Sequence, residues 1–495
     1  MYDKLIYEIS KDGKVGYSLP KSDIKDYNLD DKFARKADLI MPEVSELDVI
    51  RHFTNLSKKN YGVDEGFYPL GSCTMKYNPK INDEVVNNPG FKYLHPLQKD
   101  EDIQGSLEVY YKLSKYLSEL TGLSSFSFNG FAGAHGELAG LMIMKEYHLQ
   151  RKDYKRTKVI VPVSAHGTNP ASATVCGFEV LEVLTNDKGL VDVESLKGLL
   201  NDEIAGIMLT NPNTLGLYEE DILEISSLIH ECGGLLYYDG ANLNALLGYA
   251  RPYDMGFDIL HLNLHKTFST PHGGGGPGSG PVGVREDLVA LLPNPQVGFD
   301  NGKYYLFDSP LSIGRIGSFY GNFLVVLRAY SYLLTIGKEN IKNIALYSVL
   351  NANYIKESLK DYYKLPIDTV CMHEVVFDGL INQKATTLEV AKRLLDYGYH
   401  PPTIYFPLLF HQSIMIEPTE VESKDTIDEF INAMIKISDE AETSPELLKT
   451  APHTTVVRRL DEVKAAKNPI LKYRDLLNVW YSNYRWRTRW LWVGY

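Results

Sequence analysis

A chain of 495 residues with 44% hydrophobic residues, and with no apolar run near the roughly 20 residues of a membrane span, is expected to fold as a large soluble protein. Its net charge of -12 argues against a nucleic-acid partner, which would select a basic surface. The cysteines fit neither a metal site nor a disulfide framework, which predicts a reducing, cytoplasmic environment; they are Cys73, Cys176, Cys232 and Cys371.

The first part of the chain, residues 1–95, is rich in proline, asparagine and charged residues. Periodic apolar sequence is scarce there, apart from a helix-like patch near Val49–Lys58. We therefore expect residues 1–95 to form an N-terminal arm that wraps over a partner instead of folding by itself.

Strand-like and helix-like runs alternate from about residue 100 to residue 310. Such alternation predicts a parallel sheet with helices on both faces, and we place this large domain at residues 96–320. Between two of the strands, Ile222–Cys232 carries apolar residues at helical spacing. The predicted strands are Lys158–Pro162, Phe178–Leu184, Ala205–Thr210, Gly234–Asp239, Ile259–Leu264 and Pro281–Arg285.

A glycine-rich turn at Asn129–Glu137 leads into an apolar helical pattern. Glycines at a helix start leave backbone N–H groups bare at the positive end of the helix dipole, which suits a phosphate group. We predict Gly133 and Ala134 as phosphate contacts. Glycine-rich turns are also common without a ligand, and this one lacks the Gly-Lys-Ser/Thr ending of a nucleotide P-loop.

Polar residues follow two of the predicted strands. His166 comes after Lys158–Pro162, where an imidazole can stack on a flat ring, and Asp239 ends Gly234–Asp239. A carboxylate in that place can keep a pyridine nitrogen protonated, and the small Ala241 can lie against the ring. Each residue also has a structural interpretation, because lone histidines are often structural and aspartate after a strand is usually a turn former or a helix cap.

The segment His261–Phe268 is interpreted as a short apolar strand that ends on Lys266, with His265 before the lysine and the glycine run Gly273–Gly276 after it. A partly buried amine loses its charge easily, and the neutral amine can form an imine with an aldehyde. Alone, a solvated lysine at a strand end is the simpler interpretation. The order of phosphate turn, histidine, aspartate and lysine, all at carboxyl ends of strands, favours a site for pyridoxal 5'-phosphate (PLP).

Beyond residue 320 the pattern changes. Phe323–Leu334 is a long apolar helical run, and the segments after it indicate a smaller α/β C-terminal domain over residues 321–473 that closes over the site. The predicted elements there are strands at Val375–Phe377 and Ser413–Ile416 and amphipathic helices at Thr387–Tyr397 and Asp425–Ala441.

Residues 474–495 form an atypical tail, in which all four tryptophans are interleaved with arginines. This composition is typical of a partner or membrane-surface contact, since Trp and Arg are enriched at interfaces. The interpretation we favour is an accidental extension of the chain. We assign the tail no function.

Several sequence blocks carry a family resemblance. On these blocks the chain resembles the P-protein of the glycine cleavage system, glycine dehydrogenase (decarboxylating), and more closely subunit 2 of its two-subunit form. The resemblance implies a fold-type I PLP-dependent enzyme with a large parallel-sheet domain and a smaller C-terminal α/β domain. The blocks are Gly66–Lys80, Ser164–Ala173 and His261–Gly283, with shorter ones at Gly16–Pro20, Met41–Val44 and Val457–Val463.

The resemblance implies PLP-dependent decarboxylation of glycine, release of CO2, and transfer of the aminomethyl group to the lipoyl arm of the glycine cleavage H-protein. It implies Lys266, Asp239 and His166 as catalytic residues. Asn242 and the turn Ser72–Thr74 are candidates for seating the glycine carboxylate, and the role of Cys73 in that turn stays open. The implied cofactor contacts are Lys266, Asp239, Ala241, His166, Gly133, Ala134 and His265.

A partner subunit is also implied. P-proteins of the single-chain type are about twice this length, and this chain matches the half with the lysine, so we expect glycine dehydrogenase subunit 1 as an obligate partner in an α2β2 assembly. The alternative is another fold-type I PLP enzyme, an amino-acid decarboxylase or an aminotransferase, which is not expected to share Pro69–Lys80. A scaffold subunit without cofactor has no reason to keep Asp239, His166 and Lys266.

Overall fold

This computed structural model of the protein describes residues 4–25, 27, 29–37, 39–273 and 278–473. Contacts within the backbone divide the chain into two compact units, one of residues 66–449 and one of residues 1–65 with 450–495. The domain boundaries expected at residues 95, 320 and 473 stay a prediction. Residues 274–276 of the predicted glycine run and the tail at 474–495 lie outside the described residues.

A seven-stranded sheet forms the centre of the larger unit. Its strands are β1 (Ser125–Ser127), β2 (Lys158–Pro162), β3 (Glu179–Val183), β4 (Ile204–Thr210), β5 (Leu235–Gly240), β6 (Ile259–Leu262) and β7 (Val282–Val284). They lie in the order β1-β7-β6-β5-β4-β2-β3. Strands β2 to β6 run parallel, whereas β7 is antiparallel to both β1 and β6. The sheet is therefore mostly parallel, which confirms the expected fold class.

The parallel strands form from nearly continuous apolar sequence, as expected for strands that helices cover on both faces. All six predicted strands are present, and β2 has the predicted bounds. Tyr237 and Tyr238, neighbours on β5, are buried in different core clusters because successive side chains of a strand point to opposite faces. The strand β6 ends at Leu262, earlier than predicted, so Lys266 lies in the turn that follows it.

The α-helices of the described residues are distributed over both units. They are α1 (Glu46–Ser57), α2 (Lys80–Val86), α3 (Pro89–Lys92), α4 (Gln104–Thr121), α5 (Gly133–Gln150), α6 (Thr168–Val175), α7 (Val193–Leu199), α8 (Ile222–Glu231), α9 (Phe323–Leu359), α10 (Thr387–Asp396), α11 (Lys424–Thr443), α12 (Pro445–Thr450) and α13 (Glu462–Lys467). Helices α5 and α6 contribute to the core on one face of the large sheet, and α4, α8 and the start of α9 to the core on the other. None of the described helices combines the length and the apolar composition of a membrane span.

A second, three-stranded antiparallel sheet lies in the later part of the larger unit. Its strands β10, β11 and β12 are ordered β10-β12-β11, and its core includes residues of α9, α10 and α11. A separate hairpin of β8 and β9 was not predicted. The bounds are β8 (Gln296–Asp300), β9 (Lys303–Phe307), β10 (Val375–Asp378), β11 (Thr403–Ile404) and β12 (Ser413–Ile416).

Helix α9 connects the two cores of the larger unit. It continues well beyond the predicted run Phe323–Leu334 and is interrupted at Gly337, whose φ of 69° and ψ of 160° are not helical. Glycine adopts this conformation without the steric cost that a Cβ would add. Residues up to Ile344 pack in the core of the large sheet, and residues from Ala352 onward pack in the core of the small sheet.

The smaller unit contains α1 and α13 together with a long irregular segment before α1. A capping box begins α1, because Asp48 N–H donates to Ser45 Oγ at 3.2 Å while Ser45 N–H donates to Asp48 Oδ2 at 3.1 Å. The helix-like patch near Val49–Lys58 is thus confirmed. Several apolar side chains of the irregular segment are exposed, and those at least 60% exposed are Val15, Tyr17, Leu19, Ile24, Tyr27, Leu29, Phe33, Leu39, Ile40 and Met41.

Candidate active site

Asp239 lies at the carboxyl end of β5, where it pairs in register with His261 on β6. Its Oδ1 accepts the backbone N–H of Ala241 at 3.0 Å and lies 3.4 Å from His261 Nε2. Burial lowers the pKa of His261, and the Tyr237 hydroxyl lies 2.6 Å from its Nδ1. A neutral ring with its proton on Nε2 therefore accepts from Tyr237 and donates to Asp239.

A second buried carboxylate, Glu137 on α5, stands beside Asp239. With its nitrogen toward the two acids, the Asn169 amide donates to Asp239 Oδ2 at 3.1 Å and to Glu137 Oε2 at 3.2 Å. Burial, and then the charge of Asp239, raises the pKa of Glu137 to about 7. Near neutral pH, a proton on Glu137 limits the repulsion between the two acids.

His166 lies between β2 and α6 and reaches the same group of residues through Thr168. Its Nδ1 lies 2.9 Å from Thr168 Oγ1, which in turn donates to Glu137 Oε2 at 3.2 Å. Burial lowers the pKa of His166, so its ring is uncharged at neutral pH. The ring of Phe406 packs edge-on against it at a centroid distance of 5.7 Å.

The Lys266 amine donates to the carbonyl oxygen of Ser72 at 2.8 Å. Uncharged imidazoles surround this amine. In each of them burial is the largest cause of a lowered pKa and the Lys266 charge also contributes. These histidines are His166, His261, His265, with its pKa lowered to about 3, and His272, with its pKa lowered to about 4.

The predicted phosphate turn forms the start of α5, with Gly133 as the first helical residue. Ala132 caps the helix without a side-chain hydrogen bond, and Ala134 is exposed. A side chain at Gly133 would collide with the amide of Asn263, and one at Gly136 would collide with the backbone of Gly280. The glycines are therefore needed for the close approach of α5 to the loops around Lys266, besides leaving N–H groups open for an anion.

Polar atoms without a partner cluster around Lys266. Five residues between positions 263 and 270 each have a buried side-chain atom that makes no hydrogen bond within the described part of the chain. Such atoms are costly unless a ligand or water satisfies them, and a phosphate offers acceptors for several hydroxyl donors. Together with Asp239, Lys266 and the open start of α5, the hydroxyl donors among these atoms fit PLP. The atoms are Asn263 Oδ1, His265 Nδ1, Thr267 Oγ1, Ser269 Oγ and Thr270 Oγ1.

The residues considered for the glycine carboxylate have most of their donors engaged. The side-chain amide nitrogen of Asn242 donates to the Pro212 carbonyl at 3.0 Å, which leaves only the amide oxygen open. The backbone N–H groups of Ser72 and Thr74 donate to Glu374 and Glu417. Burial raises the pKa of the Cys73 thiol between them, which disfavours a reactive thiolate.

Several residues of the site were not predicted: Glu137, Asn169, Tyr237, His261 and His272. All five lie within segments that carried the prediction: Glu137 at the end of the glycine turn, Asn169 in Ser164–Ala173, Tyr237 in Gly234–Asp239, and His261 and His272 in His261–Gly283. Their role depends on burial next to Asp239, which a linear sequence does not reveal. His261 could have been found only by knowing that β5 and β6 are neighbours.

Comparison with known families gives two consecutive matches. Residues 21–303 match the family described as "Glycine cleavage system P-protein", and residues 344–456 match that described as "Glycine dehydrogenase, C-terminal domain". A protein of Caldanaerobacter subterraneus named "Probable glycine dehydrogenase (decarboxylating) subunit 2" is 60% identical over 479 residues, which cover 95% of this chain and 99% of the relative. A protein of Alkaliphilus oremlandii with the same name is 58% identical, with 95% and 98% covered.

Solved structures with the same fold include a glycine decarboxylase (P-protein) of the glycine cleavage system in inhibitor-bound form. The likeness has a TM-score of 0.69 at 20% identity and covers 82% of this chain and 92% of that one. A glutamate decarboxylase of Lactobacillus brevis follows with a TM-score of 0.64 at 14% identity, covering 89% and 99%. At these identities the likeness concerns the fold alone.

Proposed function

This chain belongs to the glycine cleavage system P-protein family, and from that premise we propose how its residues serve the PLP-dependent decarboxylation of glycine. The reaction releases CO2 and passes the aminomethyl group to the lipoyl arm of the H-protein. Family membership selects this activity over the other fold-type I decarboxylases and aminotransferases. The observation that carries the assignment of roles is the placement of Asp239 and Lys266 after neighbouring parallel strands, among uncharged histidines.

PLP, when bound, supplies the electron sink for the electron pair that CO2 leaves behind. Lys266 would hold its aldehyde and Asp239 its ring nitrogen. Gly133 and Ala134 would offer backbone N–H groups to its phosphate, beside His265 and the open hydroxyls of Thr267 and Thr270. His166 and Ala241 would lie against its ring.

Asp239 is held by three donors in a fixed orientation: the Ala241 N–H, the Asn169 amide and the neutral His261. A carboxylate that is already oriented favours a protonated ring nitrogen without any rearrangement. Preorganised charge of this kind is most effective at a position where charge develops during the reaction. Because His261 is neutral, it orients Asp239 without neutralising its charge.

Glycine carries the smallest side chain, so the site must exclude water without help from substrate bulk. The turn Ser72–Thr74 contacts Lys266 through the Ser72 carbonyl, and Phe268, two residues after Lys266 in the chain, is fully buried. His166, His265 and His272 are uncharged because burial lowers their pKa values, so they add no positive charge around the substrate. This arrangement favours a small amino acid held by few charges.

The partner expected for a subunit 2 is the lysine-less subunit 1, and we place the pair in an α2β2 assembly in the cytoplasm that also receives lipoylated H-protein. The exposed apolar side chains of the irregular segment, residues 15–41, support a protein partner. Exposed apolar surface on this scale is rare in proteins that act alone. The isolated cysteines agree with a reducing compartment.

The test joins cofactor mapping with reconstitution. Purified chain is incubated with PLP, reduced with borohydride and digested, and the labelled peptide is identified by mass spectrometry; we expect the label on Lys266. Exchange of labelled bicarbonate into glycine is then measured with lipoylated H-protein, with and without subunit 1. Label on another lysine would reject the site, and full exchange without subunit 1 would reject the two-subunit assembly.

A further inference from the structure

The turn that accepts the Lys266 amine has an unusual backbone. Ser72 and Thr74 both have positive φ, 63° and 47°, a region that residues with a Cβ seldom adopt. Such conformations persist only where surrounding contacts impose them, and they concentrate at functional sites. Gly71 before them packs so closely on Met415 of β12 that any side chain there would collide.

Two buried glutamates impose this conformation. Glu374 Oε2 accepts the Ser72 N–H at 2.7 Å. Glu417 accepts twice from Thr74, with Oε2 taking the backbone N–H at 2.9 Å and Oε1 taking the hydroxyl at 2.6 Å. Both glutamates are fully buried, and Asn244 donates a longer bond of 3.4 Å to Glu417 Oε1.

The charges of the two acids are balanced locally. His373 Nε2 lies 3.3 Å from Glu374 Oε1. Burial acts to lower the His373 pKa, but the combined effects of Glu374 and Glu417 raise it above its ordinary value. Burial raises the pKa of Glu417, while His373 and Thr74 favour its charged form. Burying charged groups lowers the stability of the fold unless they are paired, so we expect these two acids to serve a function.

That function is found on the other side of the turn. The Ser72 residue fixed by Glu374 through its N–H offers its carbonyl to the Lys266 amine at 2.8 Å. Farther along the same segment, Lys76 Nζ donates to the Thr267 carbonyl at 2.9 Å and pairs with Glu420 Oε1 at 2.5 Å. The segment thus contacts the reactive lysine and its neighbour, with a glutamate behind each contact.

We propose that Glu374 and Glu417 are positioning residues that keep the Ser72 carbonyl where it receives the amine of Lys266 whenever that amine carries no cofactor. The inference rests on the proposed function, in which this amine must be free during part of each turnover. Neither glutamate touches the reacting atoms. They act through the turn, by fixing a backbone acceptor that a relaxed turn would withdraw.

The experiment measures the reactivity of Lys266 in the cofactor-free full chain. The chain is trace-labelled with acetic anhydride, and the labelling rates of individual lysines are obtained by mass spectrometry. Glu417→Asp keeps the charge but is too short to reach both donors of Thr74, whereas Glu417→Gln keeps the length and loses one acceptor. The matched control is Glu219→Asp, since Glu219 is a buried acid that accepts the Val191 N–H at 2.9 Å elsewhere in this unit.

We expect both Glu417 variants to raise the labelling rate of Lys266 by roughly three- to tenfold, the effect of losing one ordinary hydrogen bond. Exposed Lys338 and buried Lys356 should label as in the wild type, and so should Lys266 in Glu219→Asp. A wild-type rate in Glu417→Asp would show that only the charge matters and overturn the proposal. A parallel rise at Lys356 would show general loosening and overturn it as well.

Failure of this inference is separable from failure of the proposed function. The labelling is done without PLP, so its outcome does not depend on cofactor binding or on activity. Borohydride trapping of PLP in a parallel wild-type sample reports on Lys266 as the cofactor lysine. Trapping on Lys266 with unchanged labelling rates would remove the positioning role and leave the enzyme assignment intact.

Discussion

Two buried clusters of this protein have the same composition and opposite electrostatics. One joins Glu137, Asp239 and His261, and the other joins His373, Glu374 and Glu417; in each, the candidate ligand atoms lie within 4.8 Å of one another. The His261 pKa is lowered by burial, whereas at His373 Glu374 and Glu417 together outweigh burial and raise the pKa. Two carboxylates and an imidazole therefore do not define a site by themselves.

The two clusters differ in the groups that donate hydrogen bonds to their carboxylates. In the second cluster Glu374 and Glu417 accept backbone N–H groups of one turn, so their charge is used to shape the chain. In the first, Asp239 is oriented by a neutral histidine, one local N–H and the Asn169 amide, while the neighbouring Glu137 has its pKa raised to about 7. The first cluster keeps a charge available for a ligand, and the second uses its charges for structure.

Lys266 stands in the electrostatic field of both clusters, and its removal should have the largest effect. In Lys266→Ala we expect no borohydride-trapped cofactor and no glycine–bicarbonate exchange, because the covalent anchor is gone. PLP can still bind through the phosphate turn, which equilibrium dialysis would detect. Lys338→Ala, at an exposed lysine, is the control and should trap cofactor normally. Normal trapping in Lys266→Ala would exclude Lys266 as the attachment point.

Asp239→Asn should lower the exchange rate on the order of 10²- to 10³-fold, since it removes a preorganised charge at the place where transition-state charge collects. Cofactor trapping should remain. Glu374→Gln, the corresponding change in the other cluster, should lower exchange less. If Asp239→Asn stays within a few-fold of the wild type in single-turnover assays, the aspartate is a structural cap.

For stability we expect the opposite ranking of the two clusters, with the larger loss in the cluster of His373, Glu374 and Glu417. Glu417→Gln is expected to lower the free energy of unfolding by about 2 kcal/mol, because a buried charge with two hydrogen bonds from Thr74 is replaced by an amide with one acceptor. Asp239→Asn should change it by much less, since its charge is set for a ligand. Urea unfolding of the cofactor-free chain measures both. Equal losses in the two variants would remove the distinction between the clusters.

The last prediction concerns the pH dependence of stability. The folded-state pKa of Glu137 is about 7, above its ordinary value of 4.5, so between these values the folded chain binds more protons than the unfolded one. Its contribution to stability is present below pH 4.5 and is lost as pH rises toward 7, by roughly 3 kcal/mol. Glu137→Gln should abolish this part of the pH dependence in urea unfolding. An unchanged profile would mean that Glu137 is already ionised in the folded chain.

The sequence allowed the strands to be predicted closely, because β2 and β12 are apolar runs with clear turn residues on both sides. It did not reveal that β7 runs antiparallel, since an apolar run carries no sign of its direction. The hairpin of β8 and β9 was missed because its alternating pattern, as in Lys303–Phe307, is short and half exposed. Strand identity is local information, and strand direction depends on the rest of the fold.

For the site, residues at the ends of strands could be predicted and their supports could not. Lys266, Asp239 and His166 follow strands, so the parallel sheet alone brings them to one edge. Their roles in cofactor binding stay predictions. Glu417 lies far along the chain from Thr74, and no sequence pattern in either segment predicts their contact. Long-range hydrogen bonds of this kind become visible only in the folded chain.

The distance along the chain between Thr74 and Glu417, 343 residues, has a consequence during synthesis. At about 5 to 20 residues per second, a ribosome needs roughly 20 to 70 seconds to add the glutamate after the threonine. Lys266 is already made in that interval, while the turn that receives its amine still lacks an anchor. Nascent chains that stop before residue 417 therefore contain Lys266 but lack the glutamate that anchors the turn accepting its amine. The site can be completed only after translation has passed β12.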